Sequence, residues 1–195
     1  MAETRRAAAE SRALLIQAAA EIINDEGYAA LSARALAEKV GLKRQIVHYY
    51  FRTMEDLLLA VVRHYGDESL DRLSNAMKSG DPLRVIWQEE PDASATTYAF
   101  LAMAKHIPSI RAETERYFER FRDLKVAAVT NYLVDAGLIS DLSPAALVTI
   151  IQSIAQGLKA EEALGSKSGH AETLAIIDGW LRDVTKLREC FRIPS

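Results

Sequence analysis

Apolar residues along this chain return every three or four positions, the spacing that gives a helix one buried stripe. No segment keeps the two-residue alternation of a half-buried strand. Over residues 4–26 the stripes are Leu14, Ala18, Ile22 and Leu15, Ala19, Ile23, with Arg and Glu between them, and Gly27 supplies a C-terminal cap. Ser32 is a good N-cap for a short helix over 33–40, in which Leu36 and Val40 share a face, and Gly41 closes it. Residues 43–50 form another short helix whose apolar side is Ile46, Val47, Tyr50 and Phe51. Three short helices, the last two joined across a tight glycine turn, are what a helix-turn-helix requires.

Longer helices follow. Residues 54–79 carry Leu57, Leu58, Val61, Tyr65, Leu70 and Leu73 and stop at Gly80, Asp81 and Pro82. Residues 83–90 make a short helix ended by Pro91, and 93–106 a medium one ended before Pro108. Residues 110–136 form a long helix capped by Gly137. Ser143 with Pro144 is an N-cap and first-turn pair that starts a helix reaching Leu164, and 171–188 is the last. The expectation is an all-α protein of about nine helices: a helix-turn-helix domain over 1–53 and a helical domain over 54–195.

Composition narrows the function classes. With 31 alanines but 9 glycines and 5 prolines among 195 residues, the chain is rich in the best helix former and poor in the turn residues an all-β fold needs. No apolar run approaches the roughly 18 residues of a membrane span, and residues 1–10 carry no signal-like stretch, so a cytoplasmic protein is expected. The single cysteine, Cys190, has no Cys or His at ligand spacing, so neither a disulfide nor a metal site is expected, and no motif calls for a cofactor. A net charge of −3 argues against nucleic acid at first sight, yet residues 1–54 hold eight cations against six acids while the remainder is net acidic.

The third helix carries the chemistry. With Val47 and Phe51 turned inward, Lys43, Arg44, Gln45, His48 and Tyr49 face outward. Arg and Lys pair with guanine O6 and N7 and Gln with adenine, while Tyr and His hydrogen bond to phosphate. Held across Gly41 from a second helix, such a face lies in a major groove with its N-terminal end toward the bases.

Over about residues 10–65 this pattern resembles the TetR family of transcription regulators. The family's small-residue second helix, glycine turn and aromatic-ended third helix have counterparts in Ala37, Gly41 and the run Val47, His48, Tyr49, Tyr50, Phe51, followed by the acidic-apolar start Glu55, Asp56, Leu57, Leu58. The chain departs from the family in having Lys43, Arg44 and Gln45 where Ser or Thr and then Gly are common, a His-Tyr-Tyr order, and Met54 where a phosphate-contacting Lys is frequent, which leaves Arg52 for that contact. By position, Arg34 matches a second-helix residue that reads a base in some members, and Ser32 one whose hydroxyl contacts phosphate.

The resemblance further implies a homodimer on a palindromic DNA operator, released by a small-molecule effector, with repression the commoner outcome. The stripes Leu147, Ile151, Ile154, Leu158 and Leu174, Ile177, Leu181, Val184, with Gly157 allowing close approach, are the candidate dimer surface; intrachain core is their alternative. Trp87, Tyr98, Met103, His106, Tyr117 and Phe121 are candidate pocket residues, suited to a flat or lipid-like effector. Tyr117, Phe121, Leu124 and Ala128 share a face whose small end leaves room. Two other classes remain: a helical small-molecule-binding dimer that does not touch DNA, and an enzyme using one of His48, His64, His106 or His170 as a base. The second lacks a His pair at i, i+4 and a Gly-rich phosphate loop, so a non-enzyme is expected.

Overall fold

Ser32 and Gly41 bracket their helix as their chemistry requires. In the computed structural model, which describes residues 2–88, 95–138, 143–183 and 185, Ser32 Oγ accepts the Ala35 N–H at 3.1 Å and Gly41 closes the helix in the left-handed region at φ 67°. The helices run α1 Ala2–Glu26, α2 Ala33–Val40, α3 Arg44–Tyr50, α4 Met54–Ser79, α5 Pro82–Gln88, α6 Ala95–Ala104, α7 Pro108–Asp135, α8 Pro144–Ala163 and α9 His170–Arg182. No strand occurs among the described residues. A 3-10 turn, Tyr28–Ala30, follows Gly27 and was not foreseen. The parts of the expected helices that fall at 89–94 and beyond 185 lie outside the described residues.

The chain divides into two compact units, residues 1–69 with 94–118, and residues 70–93 with 119–195. In the first, Leu15, Ala19, Ile22 and Ile23 of α1 are buried together with Leu36, Val47, Phe51, Leu57 and Val61, and α1 packs on both α2 and α6. Leu14, expected on an α1 stripe, is instead 47% exposed, although Ala18 and Ile22 of the same stripe are buried. Across this unit α4 is braced to the start of α7. Glu113 accepts from Arg63 at 3.0 Å and also from Arg116, and the Tyr117 hydroxyl meets Asp67 at 2.7 Å and the Arg63 carbonyl at 3.0 Å. Burial pushes the Glu113 carboxyl up, but the hydrogen bonds and charges of the two arginines outweigh this and hold it below the ordinary range. Gly66 lies directly against the Tyr117 ring.

In the second unit Leu83, Ile86, Val129, Leu133, Leu147, Ile151, Ile177 and Leu181 form one core, with α5 packed on α8. Lys125 is 2% exposed there and donates to Gln152 Oε1 at 3.1 Å. Asp81 Oδ1 accepts the N–H groups of Leu83 and Arg84 and so caps α5.

Candidate nucleic-acid interface

The outward surface of α3 follows from which side of the helix is buried. Val47 is 1% exposed and Phe51, the C-cap, 3%, so both anchor the helix inward as their spacing predicts. Lys43, Arg44, Gln45, His48 and Arg52 are all exposed, and Tyr49 stands 78% exposed with its ring edge-on to Tyr50. Ile46 corrects the sequence reading. Expected on the buried side, it is 36% exposed and lies at the margin between the buried Val47 and the polar face, since a seven-residue helix buries only one narrow stripe. An exposed apolar side chain amid polar ones is of the kind that meets a thymine methyl. Only the phase of the helix, which the short run leaves open, could have shown this from sequence.

Charge pairing separates the cations of this region into two groups. Arg34 Nε donates to Glu38 Oε1 at 2.8 Å, a bond that raises the guanidinium above its ordinary value, and Lys39 reaches Glu21 at 3.2 Å. Arg12, Lys43, Arg44 and Arg52 have no carboxylate partner among the described residues. Three of these four cations without an ion pair, Lys43, Arg44 and Arg52, lie on α3 or next to its ends, the kind of footprint phosphate binding needs. Ser32 and Arg34 sit at the exposed start of α2, with the Ser32 hydroxyl already engaged as an N-cap acceptor. Past α3, Thr53 and Asp56 exchange hydrogen bonds, each backbone N–H to the other's side chain at 3.0 Å, so α4 starts in a closed cap three residues after α3 ends.

The expected pocket residues fall in different settings. In the first unit Met103 and Tyr117 are buried, the latter with its hydroxyl held by Asp67, while Tyr98 and His106 are exposed. In the second, Trp87 packs on the core and Phe121 is half-buried. An open cavity of about 410 Å³ at the surface of the second unit is lined instead by residues that include Ser74, Met77, Lys78, Leu124, Ala128, Asn131, Tyr132 and Asp135. Leu124 and Ala128 are the small end of the α7 face read from the sequence. Burial raises the Tyr132 hydroxyl's pKa, as do the charge of Asp81 and their hydrogen bond, so the residue that caps α5 also fixes a tyrosine at this cavity.

The expected dimer stripes divide as well. Leu147, Ile151, Ile177 and Leu181 belong to the core of the single chain, each 5% exposed or less, and so have no surface to offer a partner. Ile154 and Leu158 are half-buried, Gly157 is exposed, Leu174 is 44% exposed, and Val184 lies outside the described residues.

Residues 15–61 match the family model of bacterial regulatory proteins of the tetR family. The HTH-type transcriptional regulator BetI of Rhizobium meliloti is 27% identical over 122 residues, 57% of this chain and 60% of that protein. The chain spans between 28% and 60% of the length of the curated relatives it matches. A TetR transcription regulator from Haloarcula marismortui has the same fold, with a TM-score of 0.70 at 19% identity over 95% of this chain and 100% of that one. So does a protein from Saccharomonospora viridis solved in complex with choline, with a TM-score of 0.71 at 16% identity over 90% and 97% of the two chains. Among the described residues no helix is long and apolar enough to cross a membrane.

Proposed function

We propose that this chain, whose N-terminal region is a TetR-family DNA-binding domain, is a homodimeric, ligand-responsive transcription regulator that represses from a palindromic operator. The observation that carries the DNA half is the exposed face of α3, where unpaired Lys43 and Arg44 adjoin Gln45, Ile46, His48 and Tyr49 over a buried Val47. Arg44, Lys43 and Gln45 lie at the N-terminal end and are the base readers, while His48, Tyr49 and Arg52 lie toward the other end and hold phosphates. Ser32 and Arg34 at the start of α2 add contacts to the backbone and to a base edge. A two-fold dimer sets two such helices in successive major grooves, about 34–36 Å apart.

The domain boundary at 53/54 is functional: residues 1–53 read DNA, and 54–195 sense and dimerise. Ile154, Gly157, Leu158 and Leu174 of α8 and α9 are the part of the expected dimer surface left uncovered by the chain's own core. The effector is a small organic molecule with an apolar body and a few polar groups. A neighbour of the same fold is solved in complex with choline, which supports a ligand-binding role for the helical body. The open 410 Å³ cavity is of ligand size and combines Met77, Leu124 and Ala128 with Ser74, Asn131 and Tyr132 and with the charged Lys78 and Asp135. Ser74 and Met77 are on the last turns of α4, and the first turn of that helix is capped directly after α3. A ligand that favours one position of α4 therefore biases the spacing of the recognition helices, with a coupling of about 1–3 kcal/mol typical of such systems.

The test is fluorescence anisotropy of the full chain on DNA from beside its own gene and on a scrambled duplex, over a salt series. Preferential, saturable binding with log affinity falling linearly in log salt is expected. Equal weak binding to both duplexes removes the specific-regulator reading. Ligands found by thermal shift then go into the same assay, and an operator affinity that none of them alters removes the sensor half.

A further inference from the structure

One cation of the DNA-binding head is held in a way that its helix-bracing role does not explain. Arg12, on α1, places its guanidinium carbon 5.1 Å from the centroid of the Phe51 ring, and Phe51 is the buried C-cap of α3. The arginine thus joins α1 to the far end of the recognition helix. Elsewhere in the same unit, cations that tie one helix to another do so through an acid: Lys39 of α2 through Glu21 of α1, and Arg63 of α4 through Glu113 of α7. Arg12 is exposed and has no carboxylate or hydrogen-bond partner among the described residues. A ring face attracts the charge of a guanidinium but accepts no in-plane hydrogen bond, so its N–H fork stays available in a fixed place.

Its place is informative. A recognition helix that enters the groove by its N-terminal end leaves it by its C-terminal end, at the level of the phosphates. That end carries Tyr49, 78% exposed, and Arg52, which follows Phe51 directly and is also unpaired among the described residues. A planar fork is the group that matches a phosphate's oxygens, and here ring contact removes much of the side-chain freedom that binding would otherwise have to freeze. From this arrangement we infer that Arg12, supported by Phe51, is a phosphate-binding residue of the head, gripping the DNA backbone beside Arg52 and Tyr49. The inference rests on the DNA-binding reading above and adds a residue from α1 to it.

Two roles have to be separated, because an arginine that merely staples α1 to α3 would also matter to the fold. The discriminating quantity is the slope of log affinity against log salt, which counts phosphates neutralised and which a staple leaves alone. The full-length parent, Arg12→Gln and Arg12→Lys are titrated against a fluorescein-labelled random-sequence duplex at several salt concentrations, with circular dichroism melts in parallel. The expected result is a slope shallower by about 0.9 for Arg12→Gln, which reduces the affinity lost between 50 and 200 mM salt by roughly 3.5-fold. Arg12→Lys, which keeps a charge and loses the fork, is expected to bind more weakly than the parent with the parent's slope. Should Arg12→Gln bind more weakly at an unchanged slope, or melt lower with DNA binding intact, Arg12 is a staple and the inference is overturned. If Arg12→Gln does not fold, a parent-like affinity and slope for Arg12→Lys overturns it equally, since the fork would then add nothing. A parent that binds no DNA at all fails the underlying reading instead, and takes the inference with it.

Discussion

Gly66→Ala isolates the contact between α4 and α7. A Cβ at Gly66 would sit 2.4 Å from Tyr117 Cε1, 2.5 Å from Cδ1 and 2.6 Å from Cζ, far inside the 3.5–4.0 Å at which carbon atoms rest. On an open helix surface the change would stabilise by about 1 kcal/mol through helix propensity. Here the ring has to move by about 1 Å to restore ordinary contact. It is not free to do so: Tyr117 is 4% exposed, its hydroxyl is held at 2.7 Å by Asp67 and 3.0 Å by the Arg63 carbonyl, and Arg116 lies over its face. Overpacking costs about 1–3 kcal/mol and a displaced hydrogen bond about 1 kcal/mol more. Against the propensity gain, the net expectation is a loss of about 1–3 kcal/mol. Urea unfolding at one fixed protein concentration measures it, the concentration being held because association shifts apparent stability. In a Tyr117→Ala background the same glycine substitution should stabilise by about 1 kcal/mol, since the obstruction is gone. A Gly66→Ala protein more stable than its parent refutes the close packing, and an equal effect in both backgrounds removes Tyr117 as its cause.

Three further perturbations test other parts of the molecule. Arg44→Ala combined with Tyr49→Ala should abolish operator binding in the anisotropy assay while leaving the melt within about 0.5 kcal/mol of the parent, because both side chains are exposed; retained affinity refutes the recognition face. Ser32→Ala removes the acceptor that holds the Ala35 N–H and should cost about 1 kcal/mol by urea unfolding, whereas Ser32→Thr should retain most of it. Glu113 titrates below the ordinary 4.5 in the folded chain, so its charged form adds stability that is present above that value and disappears as pH falls through the folded one. Glu113→Gln should therefore be less stable than the parent at neutral pH and converge on it in acid, and a difference that does not narrow with falling pH contradicts the arginine pairing.

Helix ends were the legible part of this fold because single residues punctuate them. Ser32, Gly41 and Ser143 with Pro144 cap the structure where their backbone and side-chain chemistry says they should, and the limits of α2 and α4 agree with the apolar spacing. Helical phase was less legible. In α1 the stripes that begin at Leu14 and Leu15 are equally apolar and both are buried over Ala18, Ile22 and Ala19, Ile23, and only packing decides that Leu14 itself is left exposed while Leu15 is covered. The same ambiguity affects α3, where Ile46, Val47, Tyr50 and the C-cap Phe51 were read as one apolar side and Ile46 is left partly exposed at its margin. An apolar stripe also does not say what covers it, which is why Leu147 and Ile177, read as a surface for a partner, turn out to be core. The Arg63, Glu113 and Tyr117 network joins residues about fifty positions apart, beyond the reach of any local pattern.

The charge balance shows what pairing adds to a sequence reading. A formal charge of −3 speaks against DNA if all charges count alike, and even the excess of cations over acids in residues 1–54 is small. In the structure they do not count alike. Arg34 and Lys39 lie against Glu38 and Glu21, so to a distant phosphate each pair is close to neutral. Arg12, Lys43, Arg44 and Arg52 make no ion pair among the described residues, and each is on α3 or touches its ends. At physiological salt the field of a charge fades over about 8 Å, so a bound phosphate responds to these nearby cations and hardly to acids further than that away. Total charge is therefore the wrong quantity for judging such a protein. The deciding one is the number of phosphates its cations neutralise on binding, to which cations without an ion pair near α3 contribute most readily, and the salt slope measures that number.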